Sequence, residues 1–367
     1  MDMPTIKDII ALLEAWAPPA TAEDFDNVGL LVGDANRICT GALITLDALE
    51  TVVDEAIAKN CNFIISFHPI IFSGLKSITG KNYVEKTVLK ALENKIAIYA
   101  LHTALDNHPK GVNYGIAQKI GMQNSTFLLP KKDSLKKLRF YAPSESVEKI
   151  KEALFAEGAG ALGNYTKCSF ENEGLGQYQP NEEAQPSVGK KGERTQVAET
   201  QVQLVFETHL QSKILHALHK AHPYEEIAFE IYTPENDNPN RGMGSIGVLS
   251  TPTSEEAFLQ QLKKVFNPKC IRHSQLLGKP IQRVAVLGGS GSFAIGAAKQ
   301  QKADVYITAD LKYHDFYQAE GELLLIDLGH YESEQFTKKL ILDYLSKKMP
   351  NFAFILAATN TNPVNYF

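Results

Sequence analysis

Phe63-Ile64-Ile65-Ser66-Phe67-His68 is the stretch that decides the fold, because a short apolar run ends there in a histidine. A run of this length and composition predicts a short buried strand, Asn62–Ser66. The flanking sequence repeats the pattern: helices are predicted at Glu50–Lys59 and Tyr83–Lys95, and strands at Gly41–Leu46 and Ile96–Leu101. Strands that alternate with helices predict a mostly parallel sheet covered on both faces.

The same alternation returns late in the chain. Strands are predicted at Val284–Leu287, Val305–Thr308, Leu323–Asp327 and Phe352–Leu356, and helices at Phe293–Gln301, Leu311–Ala319 and Tyr331–Lys347. We therefore interpret the two ends of the chain as two halves of one α/β unit.

The middle of the chain has a different order of elements. Its pattern is β-α-β-β-α-β, which is typical of a ferredoxin-like α+β domain. Residues 171–200 are polar and glycine-rich, and either a disordered linker or an extended pair of strands fits them. We predict a first α/β half at 1–129, an insert at 130–245 and a second α/β half at 246–367.

Length and charge exclude several classes of protein. The 367 residues allow two or three domains. The net charge of −5 argues against a nucleic-acid-binding protein, which needs an excess of Lys and Arg. The longest apolar run, Phe352–Ala358, is far shorter than the ~20 residues that span a bilayer. Charged residues near the start (Asp2, Lys7, Asp8) disfavour a signal peptide, so we expect a cytoplasmic protein.

Histidines and acids follow three of the predicted strands. His68 follows the strand at Asn62–Ser66. His102 and Asp106 follow the strand at Ile96–Leu101, and His330 follows the strand at Leu323–Asp327. In an open parallel sheet, ligands bind outside the carboxyl ends of the strands. The recurrence favours one shared site over separate surface histidines.

His330 and Glu334 lie four residues apart at the start of a predicted helix. Residues at this spacing point from the same face of a helix. An imidazole together with a carboxylate suits Zn, Mn, Fe or Co. The pair therefore indicates a site for a divalent metal ion.

Two further segments follow strands of the second half. The run Thr308–Asp315 is densely polar, and we expect Asp310, Lys312 and His314 to form the rim of a pocket, with Asp310 also able to cap a helix. Gly288–Gly291 lies between a strand and a helix, where backbone N–H groups are able to bind an anion. Neither segment contains a nucleophile motif.

These segments resemble the NIF-three-like dinuclear metal-centre family, whose members carry the name GTP cyclohydrolase 1 type 2 homolog. The resemblance covers nearly the whole chain. It rests on the segments Phe25–Gly33, Ser66–Phe72, His102–Asp106, Gly288–Gly291, Asp310–Asp315 and Gly329–Glu334. The middle, with Ala221-His222-Pro223-Tyr224-Glu225-Glu226, is similar to the PII-like insert of the longer bacterial members.

The resemblance implies two divalent metal ions and a hexameric ring of chains. Carried over residue by residue, it implies that His68, Asp106, His330 and Glu334 are metal ligands. His102, Asp310, Lys312, His314 and Tyr331 would then lie around the ligands or in the pocket.

Phe67 departs from the pattern of the family. Where the family has His-His-Pro, this chain has Phe67-His68-Pro69. Phenylalanine cannot bind a metal, so either the protein holds one ion, or a second ion is held weakly, through water or through a neighbour such as His102. Alternation along the strand would also allow Phe67 to pack in the core.

Two functions fit this pattern of residues. The first is a metal-dependent hydrolase acting on a small molecule, for which the resemblance implies release of formate from GTP. The second is a non-catalytic protein that binds or delivers metal, with the insert sensing or docking a partner. For the insert, His222, Glu225 and Glu226 fit either a binding loop or a plain surface or oligomer contact.

Overall fold

The computed structural model describes residues 3–367. Seventeen strands are found among them: β1 (Gly29–Val32), β2 (Ala42–Thr45), β3 (Phe63–Ser66), β4 (Ala97–Ala100), β5 (Met122–Thr126), β6 (Leu129–Pro130), β7 (Leu135–Pro143), β8 (Phe170–Tyr178), β9 (Thr195–Glu207), β10 (Phe229–Tyr232), β11 (Gly242–Met243), β12 (Ser245–Thr253), β13 (Arg272–His273), β14 (Ile281–Ser290), β15 (Val305–Ala309), β16 (Leu324–Asp327) and β17 (Phe354–Leu356).

Eleven α-helices are found in the same residues: α1 (Ile6–Trp16), α2 (Glu50–Ala58), α3 (Tyr83–Glu93), α4 (His102–Asp106), α5 (Val112–Lys119), α6 (Val147–Ala156), α7 (Gln211–Ala221), α8 (Glu255–Phe266), α9 (Ile295–Gln300), α10 (His330–Glu334) and α11 (Thr337–Lys348). None of the helices in this part of the chain is long and apolar enough to cross a membrane.

The chain divides into two compact units. The larger combines the segment up to Leu129 with Arg241–Phe367, and the smaller is Pro130–Asn240. The strand β12, which begins at Ser245, belongs to the larger unit.

The first sheet of the larger unit has the order β1-β4-β3-β2-β17. Strands β17, β2, β3 and β4 are parallel, and β1 joins the edge antiparallel. Every residue of β2, β3 and β4 is buried, as expected of strands covered on both faces. Phe63 and Ile65 point into one apolar cluster, whereas Ile64 points into the other, beside α2 and α3.

The second sheet has the order β13-β16-β15-β14-β12-β5. Only β14, β15 and β16 are parallel, so this sheet is mixed. The two halves exchange strands, because β5 from the first half joins the second sheet and β17 from the second half joins the first. One apolar cluster contains Ile44 and Phe63 of the first sheet and Ile307 and Ile326 of the second, so the two sheets share a core.

The smaller unit is an antiparallel sheet of order β10-β7-β9-β8. Buried and partly exposed residues alternate along most of β9, which gives the sheet one buried face. Helices α6 and α7 cover that face, with Ile150 and Ile214 packed against Phe140 and Leu204. Residues 171–200 contain an extended pair of strands joined by a loop at 179–194, because residues 170–178 of β8 pair with residues 195–203 of β9.

Two helix predictions need correction. The helix predicted at Tyr331–Lys347 is interrupted, and α10 and α11 are separate helices. At the break, the ring of Phe336 packs over Gly115 of α5, where a Cβ atom would lie only 2.5 Å from the ring. The segment predicted as a helix at Leu311–Ala319 is a 3-10 helix, Tyr313–Ala319.

Candidate metal centre

Three side chains from both sheets of the larger unit meet at the carboxyl ends of their strands. His68 lies two residues after β3, and α10 begins with His330 three residues after β16. The Nε2 atoms of His68 and His330 lie 3.4 Å apart. Glu334 Oε2 lies 3.0 Å from His68 Nε2 and 3.1 Å from His330 Nε2. These three residues form a group that could hold a metal ion.

A carboxylate orients each of the two imidazoles. Asp47 Oδ1 lies 2.7 Å from His68 Nδ1, and Asp310 Oδ2 lies 2.7 Å from His330 Nδ1. A carboxylate accepts a hydrogen bond from Nδ1–H, so Nε2 is left as the atom that is able to bind a metal. Burial raises the pKa of Asp47, but the hydrogen bond and charge of His68 outweigh burial and lower it. The hydrogen bond from His330 lowers the pKa of Asp310.

Glu334 is held in a space that only glycine leaves open. Gly289 has φ +64°, and a Cβ atom there would lie 2.4 Å from Glu334 Oε1. The amides of Gly288 and Gly289 donate to Asn113 Oδ1 and Ser333 Oγ, at 2.9 and 3.1 Å. These two amides of the predicted anion-binding segment Gly288–Gly291 are therefore already hydrogen-bonded within the protein.

The charge of this group fits a cation. Burial lowers the pKa of both imidazoles, but Asp47, Asp310 and Glu334 outweigh burial and raise it, to about 9 for His68 and about 11 for His330. Glu334 Oε2 is buried, and its contacts with the two imidazoles do not have hydrogen-bond geometry. The carboxylates around the two imidazoles thus favour positive charge at this place, and a metal ion that displaces the protons from the two Nε2 atoms would supply it.

Asp106, predicted as a ligand, is not one of the three residues that the structure brings within ligand distance of one another, but it is a fourth carboxylate whose charge interacts with theirs. It is buried at the end of α4, and its Oδ1 atom has no hydrogen-bond partner among residues 3–367. Burial and the charge of Glu334 raise its pKa well above the ordinary value, and the charges of His68 and His330 act against this. A buried carboxylate without a partner is costly unless a proton or a metal ion compensates its charge.

His102 belongs to the surroundings of the group rather than to the group itself. Its Nδ1 atom lies 2.7 Å from Asp26 Oδ1, and its ring lies 5.3 Å from the ring of His68. The backbone N–H of Thr103 donates to Asp26 Oδ2 at 3.0 Å. Burial raises the pKa of Asp26, but His102 and Thr103 outweigh burial and lower it.

Phe67 packs in the core beside these histidines. Its side chain is fully buried, and its ring centroid lies 5.0 Å from that of His68 and 5.6 Å from that of His102. Packing in the core, one of the alternatives considered from the sequence, is what the structure shows. The ring supplies no ligand atom.

A cavity of about 660 Å³ opens beside the metal group. His68, His102, Asp310, His330 and Tyr331 are among the residues that line it. The predicted rim residues Lys312 and His314 are exposed and are not among the lining residues. The ring of His314 contacts Tyr313 and Tyr317 instead.

His222 of the smaller unit has no free ring nitrogen. Its Nε2 atom lies 2.9 Å from the carbonyl oxygen of Tyr141, and its Nδ1 atom accepts from the amide of Tyr224 at 3.1 Å. Burial lowers its pKa. The side chain therefore stabilises the loop and does not serve as a metal ligand.

Asp47 is the site residue that sequence reasoning missed. It lies two residues after β2, the strand next to β3, in the position that His68 occupies after its own strand. The rule that directs attention to the carboxyl ends of parallel strands would have found it.

The fold and the site define an α/β protein in which a histidine–carboxylate group that could hold a metal ion lies between two sheets. The chain belongs to the Duf34/NIF3 (NGG1p interacting factor 3) family, whose sequence model matches residues 4–363. It is 36% identical over 366 residues to the GTP cyclohydrolase 1 type 2 homolog of Bacillus subtilis (strain 168), with 98% of each chain covered. The corresponding protein of Halalkalibacterium halodurans is 34% identical, again over 98% of each chain.

Solved structures are similar over the whole chain. The Bacillus cereus protein related to NIF3 has 34% sequence identity and a TM-score of 0.86, with both chains fully covered. The Staphylococcus aureus protein SA1388 has 30% identity and a TM-score of 0.79, also with full coverage.

Proposed function

We propose that this protein binds a divalent metal ion through His68, His330 and Glu334, with Asp106 beside them, and uses it to hydrolyse a small molecule. One observation carries the proposal: two imidazole Nε2 atoms and a buried carboxylate oxygen converge within 3.4 Å, next to an open cavity. A bound divalent ion lowers the pKa of water toward ~7 and polarises a substrate.

The side chains around the ion have separate tasks. Asp47 and Asp310 hold the imidazoles in the tautomer that leaves Nε2 free. Glu334 supplies negative charge from a position that water does not reach, since it is almost fully buried. The cavity of about 660 Å³ has the size of a small-molecule site.

GTP is the first substrate to test. The curated relatives carry the name GTP cyclohydrolase 1 type 2 homolog. The family resemblance implies release of formate from GTP. The donor set of nitrogen and oxygen atoms suits Zn, Mn, Fe or Co. Because Phe67 supplies no ligand, we propose one tightly held ion per chain rather than two.

A non-catalytic protein that binds or delivers metal is the second candidate. The buried ring of Phe67 favours it, because a metal pair that clamps a reacting oxygen needs more ligands than this group offers. In that case the smaller unit would sense or dock a partner.

The remaining assignments are part of the same proposal. The β-α-β-β-α-β order of the smaller unit and its strand order β10-β7-β9-β8 support a ferredoxin-like, PII-like insert between two α/β halves.

We propose a cytoplasmic homo-hexamer that binds no nucleic acid, consistent with the net charge of −5. Light scattering would test the hexamer, which requires a particle six times the mass of one chain.

Elemental analysis of the purified protein tests the site. We expect about one metal equivalent per chain in the wild type and a strong loss in His330→Ala. For the variant Glu334→Gln used below, Glu255→Gln is the matched control. Glu255 is also a buried glutamate, but it accepts from the amides of Leu277 and Gly278. Absence of metal after metal-replete purification would overturn the site.

Formate release from GTP separates the two functions. If the protein is a hydrolase, formate appears with at least one divalent metal and is abolished in Glu334→Gln but retained in Glu255→Gln. No formate with Zn, Mn, Fe or Co, from a protein that does bind metal, would favour the binding function.

A further inference from the structure

The segment that follows β17 returns to the metal cavity. β17 pairs in parallel with β2, and the amide of Ala357 donates to the carbonyl oxygen of Ile44 at 2.8 Å. The segment therefore leaves the sheet at the same carboxyl edge where β2 leads to Asp47. Residues 357–366 then lie beside the side chains that orient the metal ligands.

Glu55 of α2 determines the direction of this segment. Its two carboxylate oxygens accept from the amides of Ala358 and Thr359, at 2.7 and 2.9 Å, and from Thr359 Oγ1 at 2.6 Å. Burial raises the pKa of Glu55, but these hydrogen bonds and that of Lys59 outweigh burial and lower it to about 2. The turn out of the sheet is thus held by an ionised carboxylate.

Thr361 contacts the carboxylate that orients His68. Its Oγ1 atom donates to Asp47 Oδ2 at 2.6 Å, and Asp47 Oδ1 lies 2.7 Å from His68 Nδ1. Thr361 is buried, so water does not compete strongly for this hydrogen bond. A continuous series of contacts therefore leads from the hydroxyl of Thr361 through Asp47 to the Nε2 atom of His68.

The residues after Thr361 form a wall of the cavity. The cavity is lined by Asn362, Pro363, Val364 and Tyr366, together with His68, His102 and His330. Asn362 Nδ2 donates to Glu332 Oε1 at 3.2 Å, which ties the wall to α10, the helix that carries His330 and Glu334. The segment thus contacts the surroundings of both histidines.

We propose that Thr361 is a positioning residue of the metal centre and that the segment 361–366 is part of the site. This inference rests on the proposed metal binding. Thr361 fixes the rotamer of Asp47, and Asp47 in turn fixes the tautomer and the ring of His68. Groups that orient a ligand in this way change metal affinity by about 10- to 100-fold. Because Thr361 acts through Asp47, we expect an effect near the lower end of this range.

The test compares the full-length variants Thr361→Val and Thr361→Ser with the wild type. Titration of the metal-free protein with Co²⁺ gives the dissociation constant, and ¹⁵N NMR gives the tautomer and the Nδ1–H resonance of His68. We expect Thr361→Val to weaken Co²⁺ binding about tenfold and to shift or broaden that resonance. We expect Thr361→Ser, which keeps the hydroxyl, to restore both.

Thr87→Val is the matched control. Thr87 is also a buried threonine, but its Oγ1 atom donates to the carbonyl oxygen of Tyr83 within α3. This variant should leave Co²⁺ affinity and the His68 resonance unchanged. If Thr361→Val also leaves both unchanged, the inference is overturned. If the wild type binds no Co²⁺, the proposed function fails, and the His68 resonance still decides whether Thr361 positions the imidazole.

Discussion

The Nε2 atoms of His68 and His330 lie 3.4 Å apart, although 262 residues separate them in the chain. His68 follows a strand of the first sheet, and His330 follows a strand of the second. The metal group therefore exists only when the two sheets have packed against each other. Because the unfolded chain does not contain the group, a metal ion bound there would stabilise the folded protein.

Gly289→Ala should damage the metal centre more than a comparable substitution elsewhere. Gly289 has φ +64°, and a Cβ atom would approach Glu334 Oε1 to 2.4 Å. Gly321 has φ +68° with nothing within 4 Å of a Cβ atom, so Gly321→Ala carries the same backbone strain without the collision. We expect each variant to lose roughly 1–2 kcal/mol of stability from the backbone alone.

Only Gly289→Ala should also reduce metal affinity, because Glu334 must move away from the imidazoles. Thermal unfolding and Co²⁺ titration of both variants measure the two effects. Equal metal affinity in the two variants would mean that the position of Glu334 is not important for binding.

Asp310→Asn should weaken metal binding about 10- to 100-fold. The amide is nearly the same size as the carboxylate, but it does not compensate the charge of a metal-bound imidazole. Asp315→Asn is the control, because Asp315 accepts from the amide of Lys312 in the same segment and does not contact His330. Isothermal titration with Zn²⁺ or Co²⁺ gives the affinities. An Asp310→Asn variant with wild-type affinity would contradict a role for this carboxylate in orienting His330.

Phe67→His should increase the metal content of the protein. The ring of Phe67 lies next to the rings of His68 and His102, so an imidazole at this position adds a ligand beside the existing group. We expect about one equivalent in the wild type and a value nearer two in the variant. Phe67→Leu controls for the loss of the aromatic ring from the core. Two tight equivalents in the wild type would show that Phe67 does not limit the site.

Protonation of His108 should reduce the stability of the folded protein at acid pH. Burial and the positive charges of Arg241 and Lys110 lower its pKa from 6.5 to about 4. The amide of Lys110 donates to its Nδ1 atom at 3.0 Å, a contact that requires this nitrogen to be unprotonated. The folded state therefore binds a proton at His108 less readily than the unfolded state does. The contribution of His108 to the free energy of unfolding is full above pH 6.5 and is lost as pH falls from 6.5 toward 4.

His108→Asn keeps an acceptor at this position but does not titrate. Chemical unfolding of the metal-free protein at several pH values should show a smaller loss of stability in the variant between pH 6.5 and 4. His314→Asn, at an exposed histidine, should follow the wild type. The same loss in His108→Asn as in the wild type would assign the acid sensitivity to other groups.

Much of the fold could be predicted because its causes are local. The helix α1 begins after Thr5, whose side chain forms a capping box with Asp8. The strands β2, β3 and β4 are buried throughout and apolar except for Thr45 and Ser66 at the ends of β2 and β3. The spacing of His330 and Glu334 was informative because both lie within one short helix.

Other features depended on residues that are distant in the sequence. Phe336, at the break between α10 and α11, packs over Gly115, and the amides of Gly288 and Gly289 are occupied by Asn113 and Ser333. No local pattern contains these partners.

The sequence by itself determined the α/β elements and placed histidines and acids after their strands, because hydrophobic runs, caps and helical spacing act between near neighbours. Only the tertiary structure decided that His68 meets His330, that Asp47 orients one imidazole, and that Thr361 returns to Asp47. The physical reason is that these contacts form when the two sheets bury a common apolar core. That burial brings together side chains from distant parts of the chain.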